Sequence, residues 1–398
     1  MAPTRLCALL LLLAAALLSR AAAGCANSYP DCEANGDCVA GACACLRGWT
    51  GPTCGSLDLL PAALPAARAW PLAAGQLNAS SWGFSRVRDA ADGAYHALVT
   101  VACGAAGVIG EGGGASWVAH VTSPGALGPW ALSPAQPMFS PQTTFGPHIA
   151  VSGGDGSLAV VFRVNTLLNA TLCSGGSSGT EPPSIVSGAA VPPSALASGD
   201  PERGTSIYVA TAPSMAGPWR VSNVTILGGG GVHKSNPALA YLATPIGGRR
   251  WAMAYRDNPG RGERLALALA DAPGGPYTDV RNISFCSQVD RTNNCEDPMA
   301  WQDARNASLG HMLFHNGPHG YHLVGALDGS GGWEGSPSGA FAYTLDVALS
   351  GGGSLALLRR ERPELQFRPD GSPELLITGV TSMDGATLRA WSLLQEVR

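Results

Sequence analysis

Glu296-Asp297-Pro298-Met299-Ala300 decides how the chain reads, because its pattern recurs. Gly146-Pro147-His148-Ile149, Asn236-Pro237-Ala238-Leu239 and Arg362-Pro363-Glu364-Leu365 share its x-Pro-x-hydrophobic form, and Trp82-Gly83-Phe84 holds a comparable place without the proline. The spacing is sixty-odd residues, with one longer step where a Gly/Ser/Pro-rich insertion falls between Asn165 and Arg203. A Gly-rich close ending in an aromatic recurs with it: Gly128-Pro129-Trp130, Gly217-Pro218-Trp219, Gly275-Pro276-Tyr277 and Gly331-Gly332-Trp333. Between start and close lie strand-like runs such as Tyr95–Ala102, Ser157–Val164, Arg250–Tyr255, Gly310–His315 and Pro373–Thr378. Asp92-Gly93, Asp155-Gly156 and Asp370-Gly371 supply hairpin turns into three of them.

Self-similarity at this period, with several strands per unit, predicts stacked β-sheets. Five units of about four strands predict an all-β, five-bladed β-propeller; a jelly roll or sandwich leaves five similar starts unexplained. Proline at the first residue of an innermost strand removes no ladder bond. The residue before it is expected to be extended and to lie near the rim of a central channel.

Outward from the repeats, the N-terminus reads as an export signal over residues 1–23. Arg5 gives a positive start, Leu6 to Leu18 an apolar run, and Ala21-Ala22-Ala23 a small-residue cleavage site. The run is short for a bilayer span, and no later stretch is long and apolar enough to cross one. Ten cysteines remain after cleavage, an even number suited to an oxidising compartment. Sequons at Asn78, Asn169, Asn223, Asn282 and Asn306 predict a secreted, extracellular glycoprotein. The net charge is −4 and Lys234 is the sole lysine, so the basic stripe that nucleic-acid binding needs is missing. With 53 Gly and 30 Pro the chain suits short strands and turns, and 45% hydrophobic content excludes disorder.

Cys25, Cys32, Cys38, Cys43, Cys45 and Cys54 crowd into a segment too small to fold without bridges. Their spacing alone leaves the pairing open. The run Cys43-Ala-Cys45-Leu-Arg-Gly48-Trp49-Thr-Gly51-Pro-Thr-Cys54 resembles an epidermal-growth-factor-like (EGF-like) domain. That resemblance implies pairs Cys25–Cys38, Cys32–Cys43 and Cys45–Cys54. Ala23 and Gly24 stand where the calcium-binding variety carries acids, so calcium is not expected. Such a module makes protein contacts or serves as a spacer. The organisation is then an EGF-like module over 25–54, a linker over 55–80 and the propeller over 81–398. In the propeller, Cys286–Cys295 and Cys103–Cys173 are the expected bridges.

A propeller binds ligands at the channel mouth where blade starts converge. Glu296, Asp297 and Glu361 are the candidate catalytic acids there, one raised and one ionised for work on a glycosidic bond. Trp82, His148, Lys234, Asn236, Arg256, Asp257, His315 and Arg362 are candidate substrate-binding residues. Asp before Pro also caps turns, and Glu–Arg pairs also staple blades. From Ser81 onward, Ser81-Trp82-Gly83, Asn236-Pro237, Glu296-Asp297-Pro298, Glu361-Arg362-Pro363 and the Gly-Pro-Trp closings resemble the glycoside hydrolase family 43-like clan. The resemblance implies a sugar-binding funnel and hydrolysis by an Asp base, a helper Asp and a Glu acid on the first three blades. Those blades start here with Trp82, with Gly146-Pro147-His148 and with Lys234-Ser235-Asn236, and none supplies the carboxylate. The expectation is a protein acting on an extracellular polysaccharide or glycoprotein glycan, either as a hydrolase or as a binding protein. No cofactor is implied, beyond a metal ion that acids in the channel have the chemistry to hold.

Overall fold

The computed structural model describes residues 24–64, 68–69, 79–103, 116–133, 144–165, 205–227, 233–258, 264–283, 295–335 and 339–398. Residues 1–23, read as an export signal, the insertion between Asn165 and Arg203, Asn78, Asn169, Cys173 and Cys286 lie outside them. Cys295 is disulfide-bonded.

Five sheets follow one another along the chain, with strands in antiparallel sequence order from the innermost outward, except that blade three adds Ile226–Leu227 in parallel beyond Tyr277–Ile283 and blade five borrows its outermost strand. The innermost strands of blades one to five are Ala79–Arg88, Thr144–Val151, His233–Ile246, Cys295–Gln302 and Arg359–Phe367. The second strands, Tyr95–Cys103, Leu158–Asn165, Arg249–Asn258, Leu309–Asn316 and Pro373–Asp384, cover the predicted runs except for Ser157. Blade five takes its outermost strand from within the stretch read as a linker: Arg68–Ala69 pairs with Thr387–Glu396 and closes the ring. The apolar faces of adjacent blades bury one another, as where Phe162 and Tyr208 of blade two pack with Leu98 and Val118 of blade one.

The proline motif does not begin the innermost strand. It sits inside it, at a β-bulge repeated in all five blades. In each, three residues of the inner strand span two of its neighbour, as from Glu296↔His315 to Met299↔Leu313. The residue before the proline is therefore not extended. Gly83, Gly146, Asn236, Asp297 and Arg362 have φ of 59°, 60°, 51°, 53° and 51°, the left-handed region in which a bulge turns its extra residue. Bulging frees a strand position from the ladder, which is where a proline without N–H is tolerated.

The bulge also ties blade to blade. The backbone N–H two residues past the proline position donates to the side chain one residue past it on the preceding blade. Ile149 donates to Ser85 Oγ at 2.8 Å, Leu239 to His148 Nδ1 at 3.3 Å and Leu365 to Met299 Sδ at 3.0 Å. Arg86 donates to Glu364 across the ring closure. Ser85 Oγ in turn donates to Glu364 Oε1 at 2.9 Å, linking blades five, one and two. Burial pushes the Glu364 carboxyl up to about 8, against the bonds from Ser85 and Gln366.

The small module carries the three implied bridges, Cys25–Cys38, Cys32–Cys43 and Cys45–Cys54. It docks on blades four and five at the end carrying the first hairpin loops. Arg305 pairs with Asp37 at 2.8 Å, Gly48 lies against Pro373, and Leu57 donates to the Ala342 carbonyl at 2.9 Å. The Asp-Gly turns at Gly93, Gly156 and Gly371 lie at that same end, all with positive φ.

Two outcomes are expected. Ser85→Ala deprives Ile149 of an acceptor and Glu364 of a donor, and chemical denaturation should show a loss of about 1–3 kcal/mol. Glu364, titrating higher in the folded than in the unfolded chain, contributes stability that is complete below its ordinary range and is lost as pH rises through about 8. Glu364→Gln should flatten that decline when unfolding is followed from pH 5 to 9.

Candidate functional site at the channel mouth

The five bulges converge on a cavity lined by Gly83, Gly146's neighbours Pro147 and His148, Asn236, Asp297, Arg362 and Glu364. It measures ≈ 30 Å³, room for about two waters and not for a sugar ring. Side chains at the left-handed position come only from blades three, four and five. Blades one and two have glycines there, and Arg362 uses the space. A Cβ on Gly146 would lie 2.0 Å from Arg362 Nη1, and one on Gly83 3.3 Å from Arg362 Cδ. Arginine rarely adopts a positive φ, and here the bulge that imposes it sends the guanidinium across the mouth.

Asp297 is the buried centre of the cluster. Its Oδ2 lies 3.1 Å from His315 Nε2 and its Oδ1 3.3 Å from Arg362 Nε. Burial alone would raise its carboxyl, but the Arg362 charge, the His315 bond and charge, and Arg256 outweigh this and hold it at about 2. His315 Nδ1 faces the Gly317 carbonyl at 3.3 Å, so both ring nitrogens meet acceptors and the ring is suited to carry two protons. Burial disfavours that charge, yet Asp297, Glu361 and Glu296 raise the ring above its ordinary range.

Around this pair, Arg256 Nη1 contacts Glu296 Oε1 at 2.5 Å while its Nε donates to Ser235 Oγ at 3.1 Å. Asn236 Nδ2 reaches Glu296 Oε2 at 3.5 Å. Glu361 stays partly open to solvent, with Arg359 Nη1 at 3.6 Å. Burial raises Glu361 against the pull of His315, and Asp297 adds to the rise. Arg163 is brought down to about 10 by burial and by the like charges of Arg362 and Arg256, and stays cationic at neutral pH. His148 is lowered to about 4 by burial and Arg362. It accepts the Leu239 N–H at Nδ1, so the neutral ring keeps its proton on Nε2.

Most candidate residues are thus brought together: Glu296, Asp297, Glu361, Asn236, Arg256, His315 and Arg362 form one network, with His148 beside it. Trp82 is buried, its ring resting on the backbone of Gly379 in blade five. Lys234 and Asp257 face each other in register across blade three, and Asp257 is wholly buried. Glu296, Asp297 and His315 hold ligand atoms close enough for a metal ion, but their charges are already matched by Arg256 and Arg362. Sequence reasoning missed Glu364. Its signal was present: it is the charged member of a column otherwise filled by Ser85, His148, Ala238 and Met299. Of the sequons, Asn306 is exposed in a hairpin loop, while Asn223 lies on the outermost strand of blade two and Asn282 on the fourth strand of blade three.

No known family model and no curated protein sequence matches the chain. Among solved structures it is similar to a family 117 glycoside hydrolase produced by the marine bacterium Zobellia galactanivorans, at 12% identity over 86% of this chain and 89% of that one, with a TM-score of 0.48. It is similar to the catalytic domain of the Coprinopsis cinerea GH62 α-L-arabinofuranosidase at 12% identity, over 84% and 98% of the two chains, TM-score 0.48. An α-L-arabinofuranosidase from Lactobacillus brevis is similar at 10% identity over 81% and 92%, TM-score 0.46. At these identities the likeness assigns no residue a role.

Arg362→Met leaves the buried Asp297 carboxylate without its guanidinium and should lower stability by about 3–5 kcal/mol. The double variant with Asp297→Asn should lose less than the sum of the single variants, which thermal and denaturant unfolding of the cycle will measure.

Proposed function

We propose that this is a secreted protein acting on extracellular glycans, with a glycosidase-like propeller whose acid–base pair has moved to blades four and five. In this reading Glu361 is the acid that protonates the glycosidic oxygen. Glu296 is the partner that activates water, held by Arg256. Asp297 is a positioning residue that keeps His315 and Arg362 in place. One observation carries the reading: neighbouring carboxyls at the mouth have different surroundings, Glu361 raised by burial and Glu296 paired with an arginine at 2.5 Å. Hydrolysis of a glycosidic bond needs that division. The clan resemblance of the blade motifs supports the substrate class.

A second reading is favoured by Arg362, which fills the mouth over blades one and two, where the resemblance places catalytic carboxylates. A glycan would then be bound at the partly exposed edge of the cluster and not cleaved.

Product analysis on a panel of extracellular polysaccharides, joined to binding measurements, separates the two. Sugar release that falls about 100-fold or more in both Glu361→Gln and Glu296→Gln, with the melting temperature of Glu361→Gln nearly unchanged, is the expected result. Binding by the wild-type chain with no product would overturn the hydrolase and leave the second reading.

A further inference from the structure

In blades one to four an aromatic closing residue stands at or just before the start of the fourth strand and is buried against the preceding blade. The place it covers is the same each time: the second-strand residue opposite Ser85, His148, Ala238, Met299 or Glu364. Those residues are Leu98, Val161, Ala254, Leu313 and Ile377. Leu98 of blade one shares a core with Trp219 of blade two, and Val161 of blade two with Tyr277 of blade three. Ala254 of blade three shares one with Trp333 of blade four, and Ile377 of blade five with Trp130 of blade one. Leu313 of blade four is the fifth member of the column. Blade five takes its fourth strand, Arg68–Ala69, from the N-terminal side, so no Gly-Pro-aromatic run joins its third and fourth strands.

Trp49 of the small module fills that place. It is buried in one core with Met299 and Leu313 of blade four and Leu365 and Leu376 of blade five. Gly48 precedes it with a φ of 89°, as the glycines of the Gly-Pro closings have φ of 108°, 86° and 83° at Gly128, Gly217 and Gly275. A Cβ on Gly48 would also lie 2.9 Å from Pro373 of blade five, so the conformation and the close approach both call for glycine. Polar groups seat the ring. Trp49 lies 4.9 Å from the ring of His322 on blade four, and His322 Nδ1 meets two module side chains, Glu33 Oε2 at 3.1 Å and Asn35 Nδ2 at 3.4 Å.

The seam closed in this way is the one that divides the candidate site. Glu296, Asp297 and His315 stand on blade four, and Glu361 and Arg362 stand on blade five. Arg362 Nε lies 3.3 Å from Asp297 Oδ1 across it, and the Leu365 N–H donates to Met299 Sδ across it at 3.0 Å. A ladder runs from the module to the same row. Leu57, just past the module, donates to the Ala342 carbonyl at 2.9 Å, and Ala342 donates to the Gly320 carbonyl at 2.8 Å. Gly320 stands opposite His315, which stands opposite Glu296. The Tyr343 ring rests on Gly320, where a Cβ would collide with it, and lies 4.9 Å from the guanidinium of Arg360, the residue before Glu361.

We propose that Trp49 is the closing aromatic of blade five and a positioning residue of the mouth: by filling the seam between blades four and five, the module holds Glu361 and Arg362 against Glu296 and Asp297. The other four closings belong to the blades they close. This one is carried by a separate disulfide-stapled unit, so the spacing of the two blades that bear the acids depends on how that unit is seated. The module is then neither a spacer nor an arm. The consequence for catalysis rests on the hydrolase reading of the mouth; the closure of blade five does not.

Hydrogen exchange of the full chain tests this at two amides that cross different seams. Leu365 bonds Met299 between blades four and five, and Ile149 bonds Ser85 between blades one and two. In Trp49→Ala the ratio of Leu365 to Ile149 exchange, taken relative to the wild type, should rise by about tenfold or more. In Trp219→Ala, which opens the seam between blades one and two, it should fall by a similar factor. An unchanged ratio in Trp49→Ala, or a shift in the same direction in both variants, overturns the closure. Should Trp49→Ala fail to fold, Trp49→Leu leaves a smaller gap and is read in the same way: a rise of about threefold is expected, and an unchanged ratio overturns the proposal. If the wild type releases sugar, kcat should fall by about tenfold or more in Trp49→Ala with KM little changed, and stay near the wild-type value in Trp219→Ala. Equal losses in the two variants overturn the positioning role. If the wild type releases none, the hydrolase reading falls, and the exchange ratio still decides whether Trp49 closes blade five.

Discussion

The structure depends on one recurring bond, from a backbone N–H on one blade to a side chain at the bulge of the blade before. Sheets stacked face to face are held by apolar burial, which is non-directional and fixes no angular step. The bonds to Ser85, His148, Met299 and Glu364 fix where each innermost strand sits relative to the last. The fifth seam lacks this bond, because Ala238 has no acceptor to offer. There Thr244 and Gln302 exchange two bonds, at 2.9 and 2.8 Å, and Arg256 and Asn236 reach Glu296. The same seam carries the edge of the candidate site, so the charges assembled there also hold blades three and four together.

The bulge that makes this bond also points the preceding residue into the channel. Five such positions could hold five side chains, but the channel is too narrow for them. Two glycines leave room for one long arginine, and Arg362 then decides the charge of the whole mouth. It holds Asp297 ionised, and it adds to the burial that lowers His148 and Arg163. Glu361, one residue earlier in the chain, escapes the channel and is left half-desolvated, which gives the cluster its one raised carboxyl at the rim.

The module lies at the other end, against the hairpin loops of blades four and five. It is not an arm reaching over the mouth. Its docking face combines the rings of Trp49 and Trp301 with a buried run of histidines and carboxylates. Ring closure by Arg68–Ala69 lies a few residues beyond that face, so the segment between module and propeller is itself part of the sheet.

The repeat count and the all-β fold were legible from the proline motifs and the Gly-Pro-aromatic closings, because each blade must solve the same packing problem with similar residues. Glu296, Asp297, Glu361, Arg256, His315 and Arg362 could be named for the same reason: they sit at or beside the repeated motif. The backbone at that motif was misread. A residue before proline is usually extended, and only pairing with the second strand reveals the extra residue that turns Asp297 and Arg362 left-handed. Trp82 on Gly379, Arg362 over Gly146 and Glu33 against His322 join residues far apart in sequence, and local pattern holds no trace of such meetings. The chain by itself determined how many blades there are and which side chains stand near the axis. The closing of the ring decided which of them ionise, because burial and the distance to Arg362 exist only once the first and last blades touch.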